Sequence, residues 1–447
     1  MNSPGLEPSS ASVDAGIFTL PISVFRRVWR DASWSLGGNL LTLLSGLATL
    51  KIVGSLVPAA EYGAASLVLG LTALLNQFIA GPILSERVRL YFDHLKRGDA
   101  RPLARVLQGL LIRISVFMTA IYLVVAFVMN FRGQSTYLDI FVPVLILLFM
   151  QPQLASAFAQ LEAHRNYRGL AFAQPLVAVL QVPVLLGLLW LTLRGATSIV
   201  MAQAVAATLV FLALAWRWRA HVSSDPSGLE SALAQSSISN FGWSLYLFNL
   251  ASWMMGMSDR YIIDYFATRS DVGIYVINYA FWAVPYTVLN GWIHSFSRPR
   301  LYARAADQAW DRVLRATMGA LTAGVGLAIT GTIVIYFVGK PLALWVLGER
   351  YWHSVTLMML LAVAHIFFLI GHTVSAYFLA LKTSHWVWIS SLLAAVFGVA
   401  ANIVLLPRWG IVGAAFVTLC AYAFWSVLML GGMLVLSRRL ASLGKPL

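Results

Sequence analysis

The sequence predicts an all-α polytopic membrane protein of about 12 transmembrane helices, disposed as two parallel six-helix lobes. Three observations carry that expectation. Of the 447 residues 60% are hydrophobic and only 11% charged, with a mean hydropathy of +0.78, whereas a water-exposed domain needs about a quarter of its residues charged. Apolar stretches of membrane-spanning length recur along the chain. The Lys and Arg residues fall mostly into alternate loops.

Residues 1–33 hold Pro4, Pro8 and a Ser-rich stretch, then Arg26, Arg27 and Arg30. No apolar core leads there to a small-residue cleavage site, so the segment reads as a cytoplasmic tail. A helix crossing the hydrocarbon needs about 20 residues at about 1.5 Å each. Candidate spans follow at about 34–57, 64–85, 106–130, 137–161, 169–193, 197–216, 239–266, 272–296, 315–338, 354–381, 385–406 and 410–436, each bounded by charge or by Gly and Pro. The first six form an N-lobe over 34–216 and the last six a C-lobe over 239–436. Between them, 217–238 is polar and carries Asp225-Pro226-Ser227-Gly228, as a cytoplasmic linker should. Residues 437–447 form a second cytoplasmic tail.

With the N-terminus inside, 22 of the 31 Lys and Arg fall in inner segments and six outside, at Arg132, Arg194, Arg269, Lys340, Arg350 and Arg408. That asymmetry places both termini in the cytoplasm. It also explains the net charge of +14 as topology plus attraction to membrane lipid, leaving no call for nucleic acid as a partner.

The two lobes share an internal repeat. Trp34-Ser35-Leu36 recurs as Trp243-Ser244-Leu245, Glu61-Tyr62-Gly63 answers to Asp271-Val272-Gly273, Arg89-Leu90-Tyr91 to Arg300-Leu301-Tyr302, and Arg105-Val106-Leu107 to Arg312-Val313-Leu314. Four matches in one order at a nearly constant offset argue for homologous halves. Six spans per half make the repeats parallel, with a site expected between them near mid-membrane.

No phosphate-binding G-x-x-x-x-G-K-[S/T] loop, H-E-x-x-H zinc helix or G-x-S-x-G nucleophile elbow occurs. The expected external connections are short, unlike the large external loop of membrane polymerases. Movement of a substrate is favoured over chemistry on it, so no enzyme, catalytic residue, cofactor or metal is expected. The single cysteine, Cys420, lies in an apolar run and reads as a packing residue.

Charge inside the spans is the sharpest signal. Lys51 and Arg260 stand at equivalent positions of the repeat, 209 residues apart. A cation deep in a span costs about 2.5–3.5 kcal/mol, so two at symmetric places are expected to line a central cavity; snorkelling to the external surface is the plainer alternative. In span 7, Asn249, Ser252, Gly256, Asp259 and Arg260 fall within about a 100° arc of one face, as cavity lining or polar packing between lobes requires. In span 8, Tyr275, Tyr279, Trp282 and Tyr286 form an aromatic ridge suited to stacking on sugar rings, or to packing. Asp259, His365 and His372 are candidates for proton coupling.

These residues resemble a family. Asp259-Arg260 followed by Asp271-Val272-Gly273-Ile274-Tyr275, Asn402 with Pro407-Arg408-Trp409-Gly410-Ile411-Val412-Gly413-Ala414-Ala415, and the turn from Pro58 to Gly63 resemble the Wzx-type O-antigen and polysaccharide flippases of the multidrug/oligosaccharidyl-lipid/polysaccharide (MOP) exporter superfamily. The resemblance implies a MATE-like V-shaped bundle with a cationic cavity. It also implies transfer of undecaprenyl-diphosphate-linked oligosaccharide repeat units to the outer leaflet of a bacterial inner membrane, for O-antigen, capsule or exopolysaccharide synthesis. Lys51, Arg260, Asp259, Asn249, Ser252, Tyr275, Tyr279, Trp282 and Tyr286 would then bind substrate, with a polysaccharide polymerase complex as a further candidate partner. A cation-coupled multidrug exporter of the same superfamily is the second reading. It is disfavoured because the clearest buried acid, Asp259, stands beside an arginine.

Overall fold

A computed structural model of the chain describes residues 22–96, 101–131, 138–163, 167–191, 195–218, 228–306 and 310–442. Among them are eleven helical stretches and no strand: α1 Ile22–Leu56, α2 Ala59–Lys96, α3 Arg101–Phe131, α4 Leu138–Ala163, α5 Tyr167–Trp190, α6 Gly195–Trp218, α7 Gly228–Phe266, α8 Arg269–Ala306, α9 Trp310–Leu347, α10 Val355–Ala380 and α11 Ser384–Ser442. In hydrocarbon every backbone polar group needs an internal partner, which selects helices for such a sequence.

All but α7 are long and apolar enough to cross a membrane. α7 misses that mark because its polar stripe dilutes it. α11, at 59 residues, would run about 88 Å if straight. It breaks at Gly410, whose φ of 57° and ψ of −147° suit only glycine, so its arms 384–409 and 411–442 are two crossings. With α11 counted as two, the described stretches give eleven crossings that meet the mark, and α7, 39 residues long but more polar, stands where the remaining expected span lies. Several outrun their apolar cores: α2 continues to Lys96 through charged residues. α7 begins at Gly228, so the segment read as a linker is helical from that residue onward. Of the two expected tails, 22–33 and 437–442 continue α1 and α11 as helix, and residues 1–21 and 443–447 lie outside the described residues.

The surface agrees with a lipid setting. Phe117, Phe127 and Phe337 are 64%, 67% and 73% exposed, an arrangement that water would penalise. Trp190, Tyr265, Trp345 and Trp409 are exposed at the ends of α5, α7, α9 and the first arm of α11. These ends share one side of the bundle, here termed distal, where they form the aromatic belt of a membrane interface.

Helices α1–α6 pack as one group and α7–α11 as another. The groups meet where α2 lies along α7 and α8 and where α1 touches α8 and α9. Their tightest approach is distal. A Cβ on Gly63 of α2 would lie 2.0 Å from the Arg269 carbonyl oxygen, and one on Gly273 of α8 would lie 2.0 Å from that of Ala59. One offset of 210 residues relates both members of this contact, so the repeated acidic-x-Gly motif marks the point where the halves cross. The acids differ in use. Asp271 accepts from the Thr268 backbone N–H at 3.1 Å and its hydroxyl at 2.6 Å, capping its own helix. The longer Glu61 instead accepts the Ala196 N–H at 3.2 Å, capping α6.

Candidate functional site at the seam between the halves

Helix α7 turns one face to α2. The Tyr246 ring stacks on Phe78 at 5.7 Å, the Trp253 indole N–H donates to the Gly70 carbonyl at 2.7 Å, and the Tyr261 hydroxyl donates to the Leu67 carbonyl at 2.7 Å. Phe248 and Met255, on another face, pack against the core of the second half. The stripe Asn249, Ser252, Gly256, Asp259 and Arg260 therefore runs along the seam between these surfaces. Asn249 donates to the Gln77 carbonyl at 3.4 Å, a polar contact between halves. Ser252 is half-buried. A Cβ on Gly256 would meet nothing within 4 Å, so the middle of the stripe borders open space.

Asp259 is only 4% exposed, and both its oxygens are engaged. Oδ1 accepts the Arg260 backbone N–H at 2.8 Å, and Oδ2 accepts the Tyr275 hydroxyl at 2.6 Å. Its carboxylate thus faces the second half's interior. Arg260 is half-buried, within electrostatic reach of Tyr62 on α2, Asp259 and Tyr261 on α7, and Tyr279 on α8. Among the described residues no carboxylate forms an ion pair with it. Its surroundings are mostly phenols, with the Asp259 carboxylate as the nearest negative charge named beside it.

Lys51 stands in different surroundings. It is exposed, its ammonium donates to the Trp345 carbonyl in the last turn of α9, and it lies 5.7 Å from the centroid of the Trp345 ring. Its named neighbours share no residue with those of Arg260. The structure gives the two repeat-equivalent cations separate partners rather than one shared pocket.

The aromatic ridge points into the second half. Tyr275, Trp282 and Tyr286 are 0%, 1% and 2% exposed. The Tyr275 hydroxyl also pairs with Thr418 at 3.1 Å, Tyr279 with the Tyr422 hydroxyl at 2.7 Å, and Tyr286 with Thr332 at 2.6 Å. In this form those three buried rings offer no face to a ligand, and Tyr279 is the half-buried member. The spacing on α8 left stacking on sugar and packing both open, because it says nothing of α9–α11 covering the ridge. His365 donates from Nδ1 to the Leu361 carbonyl at 2.7 Å and packs against the Tyr279 ring at 5.1 Å. His372 lies 4.3 Å from Phe368 and 6.1 Å from His294, between ring centroids. Asp259, Tyr275, Tyr279 and His365 therefore belong to one connected cluster, and His372 joins it through Phe368.

Thr418, Tyr422, Tyr62 and His294 escaped the sequence reading. Thr418 and Tyr422 are four apart, like Tyr275 and Tyr279, and that matched spacing was the available signal. Among the described residues no three His, Cys, Asp or Glu side chains gather as a metal site requires.

A helical bundle of two groups crossing at a glycine pair, with a cation at the seam, is a fold that solved structures share. The chain is similar to the lipid II flippase MurJ in an inward closed conformation (13% identity, TM-score 0.69, 90% of this chain and 87% of that one). It is also similar to a multidrug resistance MATE family transporter of the MOP superfamily in an inward-facing conformation (14%, TM-score 0.70, 93% and 99%). A third likeness is to the Vibrio cholerae MATE transporter VcmN (15%, TM-score 0.65, 94% and 98%). The chain shares the fold of these three structures. The model of the polysaccharide biosynthesis protein family matches residues 52–356, and the chain belongs to that family. No curated protein matches it.

Proposed function

We propose that the chain is a flippase that moves polyprenyl-diphosphate-linked oligosaccharides across a bacterial inner membrane, from the cytoplasmic to the periplasmic leaflet, by alternating access. Arg260 carries the reading. A diphosphate crossing hydrocarbon needs a pre-organised cation in place of the water it loses, and Arg260 sits at the seam without an ion-pair partner among the described residues. Membership of a polysaccharide biosynthesis family supports a glycan cargo, and the MurJ likeness supports a lipid-linked one. A seam between two halves lets the polyprenyl tail remain in lipid while the headgroup passes. The Lys/Arg asymmetry puts the termini in the cytoplasm and the distal end in the periplasm.

O-antigen, capsule or exopolysaccharide is the product class, and a polymerase would receive the flipped unit. Ser252, one turn from Gly256 on the same face, is the residue of the stripe placed to meet sugar hydroxyls passing the open space there. The test is a deletion strain. Loss of surface glycan, with accumulation of a lipid-linked oligosaccharide on the cytoplasmic leaflet, supports the reading; surface glycan and lipid-linked pools both unchanged would refute it.

A further inference from the structure

The distal ends of the two halves are tied by reciprocal side-chain-to-backbone bonds that the flippase reading does not use. From the first half, Lys51 donates to the Trp345 carbonyl, in the last turn of α9. From the second half, the Tyr351 hydroxyl donates at 3.0 Å and the Arg350 guanidinium at 3.4 Å to the Val57 carbonyl, immediately after α1 ends. Each half thus offers the carbonyl end of a helix, where unpaired C=O groups collect partial negative charge, to donors of the other half.

The neighbourhood is built for this contact. Asn278 of α8, 1% exposed, donates to the Tyr351 carbonyl at 2.7 Å and fixes the segment between α9 and α10. The Tyr62 and Tyr351 rings meet edge-on at 6.3 Å. A Cβ on Gly54 would lie 2.5 Å from the Leu347 carbonyl oxygen, so backbones of α1 and α9 touch. Burial, then the neighbouring Tyr62 phenol, push the Tyr351 hydroxyl above the usual phenol range, so it stays a donor at physiological pH. Farther along α1, away from this end, Leu40, Leu41 and Leu44 are 46%, 46% and 60% exposed, while Leu50, Val53 and Val57 are buried. The clamped part of α1 is its distal part.

We infer that Lys51, Arg350 and Tyr351 form a latch, which with the Gly63–Gly273 crossing holds the distal gate shut and must release before cargo can leave. Each latch bond is single and made to a backbone carbonyl, so it contributes modestly and can open. The glycine crossing is different in kind. Opening separates the backbones, while closing requires that neither position carry a side chain. Alanine at Gly63 or Gly273 therefore favours the open form sterically, whereas loss of a latch donor only shifts the balance.

This rests on the transporter reading for its meaning, but its test needs no substrate. Ser66, 3% exposed and one turn beyond Gly63, would be replaced by cysteine in a Cys420→Ala background. Labelling by a membrane-impermeant maleimide would be timed in right-side-out and inside-out vesicles at matched protein level. We expect slow labelling in the background protein, a roughly two- to tenfold faster rate with Lys51→Ala or Tyr351→Phe, and reversion with Lys51→Arg. Gly273→Ala should label fastest, with its purified form keeping a cooperative thermal transition. Acceleration seen only in inside-out vesicles would support the latch while reversing the orientation, separating the two readings. Equal rates in the background, Lys51→Ala and Tyr351→Phe from both sides would overturn the latch.

Discussion

Lys51 and Arg260 occupy one position of an internal repeat, yet they do different things. Lys51 lies exposed at the distal rim and donates to a helix-end carbonyl of the other half. Arg260 is half-buried at the seam among tyrosines, with the adjacent Asp259 carboxylate turned away into a bond with Tyr275. The surroundings explain the divergence. After Arg260, α7 continues to Phe266, so its cation is a turn and a half short of the helix end. α1 ends at Leu56, five residues past Lys51, so the two cations stand at nearly the same depth and what separates them is the partner each meets: the Trp345 carbonyl for Lys51, the tyrosines of α2, α7 and α8 for Arg260. A repeat conserves position in the fold, and the groups that the neighbouring helices present at that position decide the surroundings of each cation.

Several substitutions would break or sharpen this contrast. The largest effect is expected from Arg260→Ala, which should lower surface glycan about 10- to 100-fold in a complementation assay at unchanged protein level, with Arg260→Lys intermediate. Trp282→Leu comes next, acting on folding. It opens space in a core where Trp282 is 1% exposed, and should cost about 2 kcal/mol or more in a detergent melt while leaving the ratio between two exported glycans unchanged. A changed glycan ratio with an unchanged melt would restore the ridge to a sugar-binding role. Tyr275→Phe should cost about 1–3 kcal/mol, because the buried Asp259 Oδ2 loses its donor. Lys51→Ala should be mildest, reducing export only a fewfold; a loss as deep as that of Arg260→Ala would erase the contrast.

Most of the fold was legible in the sequence because hydrocarbon imposes a simple code. Twelve apolar stretches, alternate basic loops and a repeat at near-constant offset are all one-dimensional signals. The Gly63 and Gly273 motif was visible as a repeat, though its purpose was not, since close backbone approach leaves no trace beyond the glycine itself. The polar stripe of α7 was readable from helical spacing, and its placement on the seam follows from the neighbouring faces. The ridge on α8 packs in this form, the second of the two readings its spacing allows. Spacing shows that Tyr275, Tyr279, Trp282 and Tyr286 share a face, but not that α9–α11 cover it. Likewise the role of Lys51 depends on Trp345, 294 residues away, and no local pattern announces such a contact.

The most direct measurement is the melting temperature of the detergent-solubilised protein with and without undecaprenyl diphosphate, taken for the unaltered chain, Lys51→Ala and Arg260→Ala. A ligand that binds only the folded state stabilises it by about 2.7 kcal/mol at 100 times its Kd, so a 10-fold loss of affinity about halves the shift and a 100-fold loss nearly abolishes it. If Arg260 is the diphosphate anchor and Lys51 a gate residue, the ligand raises the transition of the unaltered chain and of Lys51→Ala alike, and raises that of Arg260→Ala by no more than about half as much. An equal shift in all three proteins, or a shift lost in Lys51→Ala and kept in Arg260→Ala, would contradict the account.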